Sequence, residues 1–158
     1  MNASQRGRSN RNRGLTAERD VAKWLRCHGF PHAERSVKTG MTTADRAVAD
    51  EGDLTGTPGL VWQVKCVARE DITGWMAETE QQRLAADANV GILIQRRAGK
   101  SDPGRWWAWI PASDLGYLAT TAMGGVGTGF PVRMELAHLV PLLHDRGYGT
   151  PMDREVAA

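Results

Sequence analysis

Glu51-Gly52-Asp53-Leu54-Thr55, followed after Gly56-Thr57-Pro58-Gly59 by Leu60-Val61-Trp62-Gln63-Val64-Lys65, is the stretch from which the fold is read. Gly56, Pro58 and Gly59 supply turn chemistry, which predicts two strands, Asp53–Thr55 and Leu60–Val67, joined through that turn. Successive side chains of a strand point to opposite faces, so Val61, Gln63 and Lys65 share one side and Trp62 and Val64 the other. An apolar strand that sets an amide beside an ammonium needs compensation, because a lysine buried without a partner is costly. Either that face meets water or the lysine meets negative charge. Asp53, one hairpin earlier, is the natural source of that charge.

Upstream, Thr16 reads as a helix N-cap, with Glu18 and Asp20 in the first turn, where negative charge suits the helix dipole. Glu18, Val21, Ala22, Leu25 and His28 recur at helical spacing until Gly29 stops the helix. Ala33–Val37 reads as a short strand, and residues 38–52 as a long, mobile loop. Downstream, Ile72, Trp75, Met76, Thr79, Arg83 and Ala86 mark one side of a second helix. Val90–Gln95 reads as a buried strand, Arg96–Arg105 as a polar linker and Trp106–Ile110 as a further strand. A short helix is predicted over Asp114–Ala119 behind Ser113, then a glycine-rich loop over Gly124–Gly129. Val132–Leu136 reads as a last strand and His138–Arg146 as a last helix. This order predicts an α/β fold, a mixed central sheet flanked by helices.

The 158 residues, 41% hydrophobic and 24% charged, suit one domain with a real core: residues 14–147, between a flexible basic arm (1–13) and a loose tail (148–158). No apolar run approaches the roughly 20 residues needed to cross a bilayer. The arginine-rich opening has no apolar segment behind it, so no secretory leader is expected. Cys27 and Cys66 lack partner motifs, which argues against a disulfide framework or zinc cluster and for a reduced, cytoplasmic setting. The net charge is only +2, yet Arg6, Arg8, Arg11 and Arg13 precede any acidic residue. Such a segment favours polyanions; it reads either as a nucleic-acid arm or as a solvated tail.

The central pattern has a chemistry. A carboxylate oxygen, an amide oxygen and a backbone carbonyl are hard ligands suited to Mg²⁺, which keeps several waters. Such a metal lowers the pKa of bound water and neutralises charge developing on a phosphate. A lysine two residues beyond the ligand can orient the water or stabilise the transition state.

Asp53…Gln63-Val64-Lys65 resembles the catalytic motif of the PD-(D/E)XK nuclease superfamily, with glutamine where an acidic residue is usual. Gly14-Leu15-Thr16-Ala17-Glu18-Arg19-Asp20-Val21, Leu25, His28-Gly29-Phe30 and Arg35-Ser36 are similar to the opening of the archaeal-type Holliday junction resolvases. The resemblance covers about Gly14 to Val67. It implies a restriction-endonuclease-like fold, Glu18 as the helix-borne acid, Asp53 and Gln63 as metal ligands with Glu18, and Lys65 as the catalytic lysine. It implies Mg²⁺ as cofactor, replaceable by Mn²⁺, and Arg19 at a backbone phosphate. Arg35 and Lys38 join the arm arginines as expected DNA contacts. Gln63 brings no negative charge, so the metal is expected to bind less tightly than with glutamate. Asp50 and Glu51 compete with Asp53 as ligands; Asp53 is preferred because it follows Gly52 and opens a strand.

Plainer readings stand beside these. Glu18 can simply serve the helix dipole. The Trp106-Trp107-Ala108-Trp109 run reads as core or dimer packing more readily than as a stacking surface for bases. The four histidines lack metal-site spacing, and Gly124–Gly129 lacks the ending of a phosphate-binding loop. Glu78, Glu80, Gln81 and Gln82 read as a solvated face from which one residue can reach a metal or phosphate.

The expected function is therefore metal-dependent cleavage of branched DNA, four-way junctions above all, by a homodimer. The size suits a phage or mobile-element enzyme working in a bacterial cytoplasm. The rivals are a restriction-like or repair endonuclease of the same fold and a non-catalytic DNA-binding protein.

Overall fold

The structure, a computed structural model, describes residues 3–37, 51–119 and 129–151. Helix α1 spans Ala3–Arg26, and the short strands β1 (Glu34–Arg35) and β2 (Leu54–Thr55) pair antiparallel. Strand β3 (Leu60–Lys65), helix α2 (Ile72–Ala85) and strand β4 (Val90–Gln95) form a parallel crossover unit. Strand β5 (Trp107–Pro111), helix α3 (Ala112–Ala119), strand β6 (Pro131–Glu135) and helix α4 (Leu136–Asp145) follow. The sheet order is β3-β4-β5-β6, with the last two pairings antiparallel. This is a single-domain α/β fold, a mixed sheet flanked by helices.

Strand alternation divides the sheet. Leu60, Trp62, Val64, Val90, Ile92, Ile94, Ala108 and Ile110 form one core cluster with Ala17, Val21 and Leu25 of α1 and Leu136, Leu139 and Leu143 of α4. Each fully buried Leu, Ile or Val contributes roughly 1.5–3 kcal/mol, so this face carries most of the stability. The opposite face on β3 and β4 meets α2, whose buried residues are Trp75, Thr79 and Gln82. Gly91 lets that helix close in, since a Cβ there would stand 3.1 Å from the Thr79 methyl. A helix with so polar a buried side adds little to the core. It is suited to building a site.

Several sequence-based boundaries move. Helix α1 starts at Ala3, not at Thr16, whose hydroxyl donates to the Asn12 carbonyl at 2.9 Å in mid-helix. Nothing between Ala3 and Thr16 breaks a helix: there is no proline, and glycine costs only about 1 kcal/mol in a helix interior. The basic segment expected as a flexible arm is thus, from Ala3, the first part of α1. Of the tail expected to hang loose after Gly147, residues 148–151 are described and are docked: Tyr148 is buried, and the Thr150 N–H donates to the Gly29 carbonyl at 2.6 Å. The His144 ring bridges the His28 and Tyr148 carbonyls at 3.0 and 2.8 Å, joining the end of α1 to this segment. Trp106 lies outside β5, fully buried after a 3₁₀ turn over Pro103–Arg105, its Nε1 donating to the Lys100 carbonyl at 2.8 Å. On α2, Gln82 rather than Arg83 faces inward; Arg83 forks onto Glu80 with two 2.7 Å bonds. The loop read over residues 38–52 lies outside the described residues up to position 50, as does the glycine-rich stretch up to position 128.

Candidate active site

Strand β3 is the edge of the four-stranded sheet, and the chain at Asp53 closes on its open side. The Asp53 N–H donates to the Trp62 carbonyl, and the Val64 N–H donates to Asp53 Oδ2, both at 2.7 Å. The Asp53 carbonyl accepts from the Ser36 N–H at 2.8 Å. This clamp depends on Gly52, whose φ of +101° is in the left-handed region and whose added Cβ would come within 2.8 Å of the Trp62 carbonyl oxygen. One oxygen of the carboxylate is thus held by a backbone N–H.

Asp53, Gln63 and Lys65 line one cleft of about 500 Å³, with Glu78, Gln81, Gln82 and Ala85 of α2 forming its other wall. Three of the residues singled out from sequence therefore meet. The amide and ammonium of β3 meet negative charge from α2: Glu78 Oε2 accepts from Gln63 Nε2 and from Lys65 Nζ, each at 2.7 Å. The Lys65 ammonium also lies 5.9 Å from the centre of the Trp75 ring. Gln63 is buried, and its Oε1 accepts from the Thr79 hydroxyl at 2.6 Å. That hydroxyl is also 2.8 Å from the Trp75 carbonyl, and its single proton serves two acceptors. A half-turn of the Gln63 amide would let Thr79 donate to Trp75 and accept from Gln63. It would then point the amide oxygen at the Glu78 carboxylate.

The donor set fits Mg²⁺ by chemistry: two carboxylates and an amide, all hard oxygens, in a polar cleft with room for water. Among the described residues no three His, Cys, Asp or Glu side chains are grouped so as to hold a metal ion. Glu18 is not part of the cleft lining. Its carboxylate lies 3.7 Å from Arg35 Nη1, and Arg35 pairs in register with Leu54, next to Asp53.

Arg8, Arg11, Arg13 and Arg19 are exposed on α1, and Arg6 lies in its first turns. Arg35 is half-buried against Glu18, and Lys38 lies outside the described residues. Sequence reasoning grouped Glu78 with Glu80, Gln81 and Gln82 on a solvated face from which one residue can reach a metal or phosphate, without singling it out, and gave Thr79 no chemical role. The signal available for both was their spacing on a helix that follows the Gln63-Val64-Lys65 strand. No protein-family model matches the chain, and no curated protein or solved structure matches it at a significant level.

Proposed function

We propose that the chain is a metal-dependent endodeoxyribonuclease acting on branched DNA, with the four-way junction as leading substrate, on a restriction-endonuclease-like fold. The observation that carries this reading is the convergence of Asp53, Gln63, Lys65 and Glu78 on one cleft. Asp53, Glu78 and the Gln63 amide oxygen are the groups to hold Mg²⁺ or Mn²⁺. The ion, when bound, supplies an acidified water and neutralises phosphate charge. Asp53 brings a backbone-fixed oxygen that needs no reorganisation. Lys65 brings an ammonium group that can steady the phosphate oxygens once Glu78 turns to other duties. Glu18 supports the site at one remove, by holding Arg35 beside the strand that follows Asp53.

Helix α1 supplies the DNA contacts in this reading. Arg11, Glu18 and Leu25 recur every seven residues, so Arg11 prolongs the helix face that carries Glu18. Arg8, Arg13 and Arg19, exposed on the same helix, offer further phosphate contacts. Symmetric resolution of a junction requires paired cuts, hence a homodimer.

Labelled four-way junction, flap and linear duplex, each incubated with Mg²⁺, Mn²⁺ or EDTA, test the proposal. Paired, metal-dependent nicks in the junction are expected. Cutting confined to flap or duplex would assign a different substrate to the same chemistry. Binding without cutting in either metal would leave a DNA-binding protein.

A further inference from the structure

The sheet face that carries Gln63 and Lys65 continues past helix α2. Register sets Lys65, Gln95, Trp107 and Glu135 in one row across β3 to β6, and Gln63, Leu93, Trp109 and Arg133 in the next. Helix α2 covers the β3–β4 half of this face. On the β5–β6 half, Trp107 and Trp109 point the same way and remain partly exposed. The guanidinium carbons of Arg97 and Arg133 lie 3.8 and 4.3 Å from the centre of the Trp107 ring, and Arg133 lies 5.3 Å from that of Trp109. Trp109 Nε1 donates to Gln95 Oε1 at 3.1 Å, which fixes the plane of the indole. Glu135 neutralises Arg97 at 2.7 Å. Arg133 is exposed and makes no ion pair among the described residues.

We propose that Trp107, Trp109 and Arg133 form a stacking platform for an unpaired nucleobase of a DNA strand, with the Arg133 guanidinium bound to a neighbouring phosphate. Packing alone does not require an exposed, unneutralised arginine laid over two indoles. An anionic strand with flat bases complements both parts, because guanidinium planes and aromatic rings stack on bases and the guanidinium pairs with phosphate oxygens. Two strand spacings separate Lys65 from Trp107, about 10 Å. That is close to three stacked nucleotides at about 3.4 Å each. The inference rests on the nuclease reading in one respect: it makes the substrate one with opened bases near the cut, as at a branch point.

The test is anisotropy of a labelled single strand and a blunt duplex of equal length, titrated with the full chain in EDTA, where no cutting occurs. Arg133→Gln and Trp109→Ala should weaken single-strand binding about 5- to 100-fold and duplex binding by less than about 2-fold, while Trp109→Phe keeps most of the affinity. If Trp109→Ala does not fold, Arg133→Gln decides, since it leaves both indoles in place. Equal losses on both DNAs, or none, would overturn the platform. So would a change in sedimentation mass on Arg133→Gln, which would make the face a contact between two copies. The cleavage reading fails separately: Asp53→Asn cutting a junction as fast as wild type would end it without altering these binding constants.

Discussion

The Lys65 ammonium is 2.7 Å from the Glu78 carboxylate, and the same oxygen accepts from the Gln63 amide. Helix α2 thus supplies, from across the crossover, an acid that strand β3 lacks. This accounts for an amide and an ammonium side by side on a strand of otherwise apolar residues. It also gives Glu78 a role that can be measured.

Glu78→Ala removes a carboxylate from the cleft and leaves Lys65 without this partner. Mn²⁺ affinity should fall about 10- to 100-fold, the range seen when groups supporting a metal site are lost. Electron paramagnetic resonance titration of free Mn²⁺ reads this directly, without any cleavage assay. Unchanged affinity would remove Glu78 from the ligand set.

Gln63→Glu puts a second carboxylate where the Gln63 Nε2 stands 2.7 Å from Glu78. Like charges that close oppose ionisation, so the metal-free variant should be less stable at neutral pH by about 1–3 kcal/mol. A divalent cation should reverse the deficit, giving a larger Mg²⁺-induced rise in Tm than in wild type. Thermal scans with and without Mg²⁺ provide the comparison.

Gly52→Ala forces a side chain into the left-handed region and against the Trp62 carbonyl. A cost of about 1–3 kcal/mol is expected from the strain. Displacement of Asp53 from the Val64 N–H should lower cleavage by about 100-fold, the scale of an ångström-sized misplacement. Circular dichroism melts and a junction assay separate the two effects.

Burial, with the Tyr117 hydroxyl 3.4 Å away, pushes the Tyr148 phenol from 10.0 up to about 12. The unfolded chain releases this proton near pH 10 and the folded chain only near pH 12. The folded state holds the proton more tightly, so its stabilising effect is full below pH 10 and is lost as pH rises towards 12. Tyr148→Phe should flatten that part of the stability profile, as measured by urea unfolding on either side of pH 10.

The two strands between Asp53 and Lys65 were legible because their determinants are local: turn residues between two runs, and alternation along the second. That Leu54–Thr55 pairs with Glu34–Arg35, not with Leu60–Lys65, is a longer-range outcome that the turn residues do not encode. The start of α1 was not, because Thr16, Glu18 and Asp20 imitate a capped first turn while the arginine-rich stretch before them is equally able to continue a helix. Helical spacing identified Trp75 and Thr79 as inward-facing on α2. Only the parallel register of β3 and β4, a long-range feature, brings Glu78 over Gln63 and Lys65. The tryptophan run misled at its first member for a similar reason. Trp106 is swallowed by the core beside a 3₁₀ turn, and β5 begins one residue later. Docking of the segment after Gly147 depends on bonds from His144 and Thr150 to the His28 and Gly29 carbonyls, far away in sequence, and left no local mark.

The most direct test of the central claim is Mg²⁺-dependent cleavage of a four-way junction by wild type, Asp53→Ala and Lys65→Ala, each first verified as folded. Loss of about 100- to 1,000-fold in both variants is predicted, in line with removal of a group that stabilises the transition state. Cleavage at the wild-type rate by both would contradict the assignment of this cleft as the active site.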